Sequence, residues 1–280
     1  MIALPPALLL TSIAAAVLAG FVCSTVGIFV VRMNLSSIGY CMSHAAFAGA
    51  AFGIMAAIDP LVGAVAFSLG TALLIGPLGE KARLESNVII GFLFSATIAL
   101  AFIFLSMIPG QAASGTALRI LWGSIFAVTH EMVLLLVLLA AALTAFTVLF
   151  YKEIVAVLFN RKLAEAAGVN TTVFYFAILF FTAAAVSLSL RLVGGLLVFA
   201  LIVNPTSTAY QFFYDFKKIV IASSLVGVAS CLVGFILSLF TDFPIGASIV
   251  VVSAGGFAAS IALSPKRRRG GSAVGGNKGL

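Results

Sequence analysis

The sequence predicts an all-α fold, a polytopic helical membrane bundle of eight or nine transmembrane helices. Three observations carry that expectation. Of the 280 residues, 63% are apolar and 8% charged, with a mean hydropathy of +1.27. A soluble domain carries roughly 25% charge, so most of this surface must face lipid. Apolar runs repeatedly reach the length a helix needs to cross roughly 30 Å of hydrocarbon. The large apolar residues follow one another without the strict alternation of a membrane barrel, and a helix satisfies its own backbone in lipid.

Nine apolar segments follow in order. Residues 7–31 form the first; it has neither a positively charged start nor a small-residue cleavage site, so it reads as a retained helix and not a signal peptide. Segments 36–57 and 60–79 are separated only by Asp59-Pro60. Residues 87–108 and 130–151 follow. Segments 172–191 and 194–214 are divided by little more than Arg191 and Gly194-Gly195, and 219–240 and 244–264 complete the set. If one member of a short hairpin is re-entrant, the count is eight. Residues 109–129 start too polar to cross. Their later part, LRILWGSIFA, reads as a half-helix lying at the outer surface or dipping in, where Trp122 suits an interface.

The connections carry orientation. Arg32, Lys81, Arg83, Lys152, Arg161, Lys162, Lys217, Lys218 and the basic residues from Lys266 onward fall on one side. Of 15 basic residues only Arg119 and Arg191 fall on the other. That asymmetry predicts an outside amino terminus and a cytoplasmic carboxyl terminus. It accounts for the net charge of +7 without nucleic acid as a partner. One transmembrane domain is expected over 1–265, with a flexible basic, Gly-rich cytoplasmic tail at 266–280. Cys23, Cys41 and Cys231 lie in apolar runs and show no disulfide or zinc-finger spacing.

Function classes narrow from here. There is no G-x-x-x-x-G-K-[ST] loop, so the chain does not hydrolyse ATP itself. All carboxylates lie at or near segment ends, unlike the buried relays of an ion-coupled pump. An intramembrane metalloenzyme fails on ligand supply, because His44 and His130 stand far apart in sequence. A passive channel lacks a charged ring or carbonyl filter. The longest inside connection offers a place for an external engine: Arg161 to Ala167 has helical residues and ends at Gly168, a natural helix stop. Such a short surface helix is either a grip for another protein or an ordinary solvated loop.

Five stretches, in order, resemble the ABC-3 family of ATP-binding-cassette permeases, which import zinc, manganese or iron. They are SIGYCMSHAAFAGAAFG, LRILWGSIFAVTHEMVLLLVL, RKLAEAAGVNTTVFYF, LVGGLLVFALIVNPTSTAYQF and TDFPIGASIVVVSA, together spanning about residues 20–255. The resemblance implies a transport subunit and not an enzyme. It implies a multi-pass protein of a prokaryotic plasma membrane, pairing with a second permease chain as a homodimer embedded in lipid. A cytoplasmic ATPase subunit would bind ATP, and an extracytoplasmic metal-binding protein would deliver the cargo. No cofactor is held permanently, since the divalent metal is transported. The coupling helix, about 160–169, would use Arg161, Lys162, Leu163, Ala164, Glu165, Ala166, Ala167 and Gly168. A metal chelate such as a siderophore or cobalamin is the alternative cargo.

The candidate metal site centres on His44, with Cys41 and Tyr40 three and four residues earlier on a shared helix face and Ser37 one turn further. Counted from Leu35, His44 lies nine residues in, roughly 14 Å along the helix and near the membrane midplane. An imidazole there is expensive unless it faces a wet path or a partner. It either meets a passing cation or hydrogen-bonds a neighbouring hydroxyl. Ala45, Gly49 and Gly53 form a small-residue strip on another side, suited to close helix packing. Where the family usually has aspartate, four residues before the histidine, this chain has Tyr40. That opens a softer site on Cys41 and His44, a chelated cargo, or a compensating carboxylate elsewhere. Asn204-Pro205 predicts a kink, and Ser37, Asn204 and Thr206 are the path-lining candidates. His130-Glu131 reads as an interfacial polar anchor.

Overall fold

Every one of the nine expected segments contains a helix, because in lipid each must close its own backbone hydrogen bonds. The computed structural model describes residues 6–108, 123, 128–194, 198–241 and 243–266. Its helices are α1 (Pro6–Arg32), α2 (Ile38–Met55), α3 (Pro60–Ala82), α4 (Ser86–Ser106), α5 (His130–Leu149), α6 (Tyr151–Phe159), α7 (Arg161–Ala166), α8 (Thr171–Val193), α9 (Val198–Phe212), α10 (Phe216–Thr241) and α11 (Ile245–Leu263). The expected outer half-helix with Trp122 and Arg119, and the tail from Arg267, lie outside the described residues.

Eight of these helices are long and apolar enough to cross a membrane. Gly194, at φ +90°, ends α8 in the left-handed region that favours glycine. The seventh expected segment is described from Val198 onward, as α9.

Helix ends follow local chemistry. Asp59 accepts the Leu61 N–H at 2.6 Å, with Pro60 in the first turn of α3. Thr129 accepts the Met132 N–H at 3.3 Å and starts α5.

Small residues set the packing. The strip on α2 faces α3: a Cβ on Gly49 would run into the Gly63 carbonyl, and one on Gly53 would come to 3.0 Å of Pro60 Cα. A second close crossing joins α1 to α10, where a Cβ on Gly20 would sit 2.7 Å from the Gly227 carbonyl oxygen. Hydroxyls bridge neighbours inside lipid. Ser68 and Ser187 lie 2.6 Å apart between α3 and α8, and the Ser24 carbonyl accepts from Ser223 at 3.0 Å and Thr206 at 3.2 Å, tying α1, α9 and α10.

The basic connections gather at one end of the bundle. The Arg32 guanidinium lies 5.7 Å from the Phe159 ring centre. Arg83 and Arg161 line one cleft of about 250 Å³, and the Lys217 ammonium lies 5.3 Å from the Tyr151 ring. Asn87 donates to the Asn34 carbonyl at 3.2 Å, joining the α3–α4 and α1–α2 connections. At the same end Lys266 donates to the Tyr210 and Phe213 carbonyls, each at 2.6 Å, capping the last turn of α9 as a cation at a helix C-terminus should.

Candidate functional site

α2 is the most enclosed of the candidate spans, 78% buried, and packs against α3, α4 and α8. His44 sits six residues after Ile38, so it lies about 9 Å along the helix. That is less than the count from Leu35 suggests, because the helix opens three residues later. The residue is 6% exposed, and its Nδ1 is buried with no hydrogen-bond partner. The imidazole meets the Phe94 ring of α4 edge-on, centroids 4.8 Å apart. A buried polar atom left unpaired costs about 1–3 kcal/mol. The arrangement therefore leaves a buried ring nitrogen without a partner.

Tyr40, one turn earlier, differs. It keeps 44% of its surface exposed on an otherwise enclosed helix. Its ring stacks on Phe199 of α9, centroids 3.6 Å apart and planes 24° from parallel, and meets Phe94 edge-on at 6.4 Å. Phe199 approaches this closely because Gly39 has no side chain; a Cβ there would sit 2.9 Å from Phe199 Cδ2.

The other expected site residues lie apart from this group. Cys41 is fully buried in the apolar core. Ser37 is exposed at the N-cap of α2 and makes no side-chain cap bond. The Asn204 amide donates to Ser253 Oγ on α11 at 3.1 Å. Thr206 is fully buried beside Ser24 and Ser223. Among the described residues no three His, Cys, Asp or Glu side chains converge as a metal-binding group. Phe94 and Phe199 were not legible from sequence: one phenylalanine among 25 carries no signal until the fold brings it to the imidazole.

The surface helix is built from explicit end signals. Asn160, in an extended conformation, accepts the Leu163 N–H at 3.2 Å and opens α7. Gly168, at φ +85°, closes it: its N–H reaches the Glu165 carbonyl and the Val169 N–H reaches Ala164, both at 3.0 Å, a Schellman arrangement. Arg161 Nε donates to Glu165 Oε1 and to Thr171 Oγ1, each at 3.1 Å, and the Thr171 hydroxyl donates to the same carboxylate. The bonds from Thr171 and Arg161 hold the Glu165 carboxyl below its ordinary range, so the network persists at neutral pH and loosens only as pH falls through that lowered value. Ala164 is buried, while Leu163 and the neighbouring Phe159 are exposed apolar side chains. α7 is thereby clamped onto the first turn of α8 with an apolar, cationic face outward.

Eight described helices long and apolar enough to cross a membrane place the chain in the class of polytopic helical membrane proteins. The chain belongs to the ABC 3 transport family, whose profile matches residues 6–264. It is 32% identical to the manganese transport system membrane protein MntC of Listeria monocytogenes over 89% of this chain and 88% of that protein. It is 27% identical to the manganese import system permease protein ScaB of Streptococcus gordonii, over 90% of each. In structure it is similar to PsaBC from Streptococcus pneumoniae in complex with Fab, with a TM-score of 0.81, 27% identity and 93% of each chain covered.

Proposed function

We infer that this chain is the membrane-spanning permease subunit of an ATP-binding-cassette importer that moves a divalent metal ion into a prokaryotic cytoplasm by alternating access. The observation that carries the reading is His44. Its unpaired Nδ1 is a nitrogen donor held inside a transport-family bundle, and imidazole suits zinc, iron and related ions. A single donor per chain suits a cargo that must leave again. Two permease chains side by side would bring two such imidazoles to one path.

The gathering of basic connections at one end supports a cytoplasmic placement of that end and an outside amino terminus. The α7 helix then faces the cytoplasm, where an ATPase subunit would grip Leu163 and Phe159 and pull on α8 through the Arg161–Glu165–Thr171 clamp. An extracytoplasmic binding protein would deliver the ion at the opposite end. Two relatives named for manganese favour an ion over a siderophore-sized chelate.

The test is ATP-dependent uptake of manganese, zinc and iron by the chain reconstituted with its ATPase. Uptake of none of them would refute the reading. Glu165→Arg removes the carboxylate that ties α7 to α8. It is expected to leave ATP hydrolysis running while uptake falls about tenfold. Parental uptake in that variant would remove α7 from the coupling role.

A further inference from the structure

Two cavities sit side by side at the basic end of the bundle, of about 250 Å³ and about 260 Å³, and Ser86, Arg161 and Tyr175 line both. The first opens between the end of α3, the α3–α4 turn and the start of α8, where Glu80 and Arg83 join the lining. Its polar groups are only partly answered. Arg161 spends its Nε on Glu165 and Thr171. Its guanidinium lies 5.8 Å from the Tyr175 ring centre. Tyr175 is buried, and its hydroxyl forms no hydrogen bond although the Ser86 side chain stands near it. Among the described residues neither Arg83 nor Glu80 makes an ion pair. With Arg161 held by Glu165, the cleft keeps one guanidinium and one carboxylate unpaired. A ligand of a single sign answers one of them and repels the other, whereas a ligand carrying both signs answers both. The walls turn apolar toward the bilayer. Gly76 and Phe176 line the cleft; one turn deeper on the same helix faces stand Leu73 of α3 and Phe180 of α8, both exposed. Since α3 and α8 pack together, an apolar strip leads from the charged cleft into the span.

We propose that this cleft binds the headgroup of a zwitterionic phospholipid, with its phosphate on Arg83 and Arg161, its ammonium on Glu80 and its acyl chains along Leu73 and Phe180. Basic pockets between spanning helices at the cytoplasmic side are suited to lipid headgroups, and a guanidinium presents donors in the geometry a phosphate accepts. The carboxylate of Glu80 selects a headgroup with a cationic end over a purely anionic one. Seated there, the phosphate ties the α3–α4 turn to the start of α7. The cytoplasmic leaflet as the source rests on the orientation proposed above; the binding site does not.

The test is native mass spectrometry of the full chain in detergent, titrated with phosphatidylethanolamine. Phosphatidylglycerol is the anionic comparison and inorganic phosphate the soluble one. The parent is expected to retain phosphatidylethanolamine in preference to phosphatidylglycerol. Arg83→Gln is expected to weaken that binding at least about tenfold, the scale of losing a hydrogen bond to a charged group. Glu80→Gln is expected to weaken phosphatidylethanolamine by a similar factor while phosphatidylglycerol binds at least as well as before. Lys152→Gln, which removes a cation of the same end outside the cleft, is expected to change neither. Parental affinity in Arg83→Gln, or an equal loss in Lys152→Gln, overturns the site. A parental preference for phosphatidylglycerol, or displacement of the lipid by inorganic phosphate, overturns the zwitterionic lipid as its occupant. Weakened ATPase binding in Arg83→Gln at parental lipid affinity gives the cleft to the ATPase subunit and overturns the lipid as well. None of these outcomes depends on metal uptake, so the transport reading stands or falls separately.

Discussion

His44→Ala is expected to lower ATP-driven metal uptake by more than about tenfold while leaving the bundle folded. Loss of even an outer contact to a metal typically costs 10–100-fold in affinity, roughly, and on the reading proposed above the substitution removes the donor itself. The stability side separates this from an ordinary core substitution. The ring's edge contact with Phe94 contributes about 0.5–1.5 kcal/mol. Against that, the change removes a buried, unpaired Nδ1 whose desolvation costs about 1–3 kcal/mol. The two effects nearly cancel, so the melting temperature in detergent should move by only a few degrees. A histidine kept for packing and hydrogen bonding would behave in the opposite way, with a large thermal shift and normal transport in whatever folds. Measuring both on one preparation decides between them.

Gly63→Val is expected to prevent the bundle from assembling. A side chain on Gly63 would occupy the space of the Gly49 carbonyl, which is backbone of a neighbouring helix and has no rotamer to change. Overpacking that flexible side chains can absorb costs about 1–3 kcal/mol. Here α2 and α3 must separate along their length, so the cost should exceed about 3 kcal/mol. Since α2 carries His44 and Tyr40, the site moves with it. The readout is the yield of monodisperse protein and its thermal midpoint. Gly70→Ala, on the same helix, is the control: nothing lies within 4 Å of a Cβ there, so it should be neutral or stabilise by up to about 1 kcal/mol through helix propensity. Equal behaviour of the two variants would show that the α2–α3 crossing is looser than the structure has it.

The two outcomes are independent in origin. One removes a chemical group whose net effect on the fold's stability is small; the other adds an isopropyl group where the fold has no volume.

Composition and run length were sufficient for the helical bundle and for its segment order, because a chain with so little charge cannot be held by water and each apolar run must close its own backbone bonds. The C-terminal end of α7 was also readable, since Gly168 acts on its own neighbours. Family membership was visible in five short stretches for the same reason: each is local. What only the tertiary structure decided is which residues meet. Tyr40, Cys41 and His44 are neighbours along one helix, yet Cys41 turns into the core, while Tyr40 and His44 are joined through Phe94, 50 residues further on from His44, and Tyr40 is covered by Phe199. Helical spacing sets only the direction a side chain leaves its own axis. What it touches depends on how closely glycines let the other axes approach, and that is a property of the packed bundle.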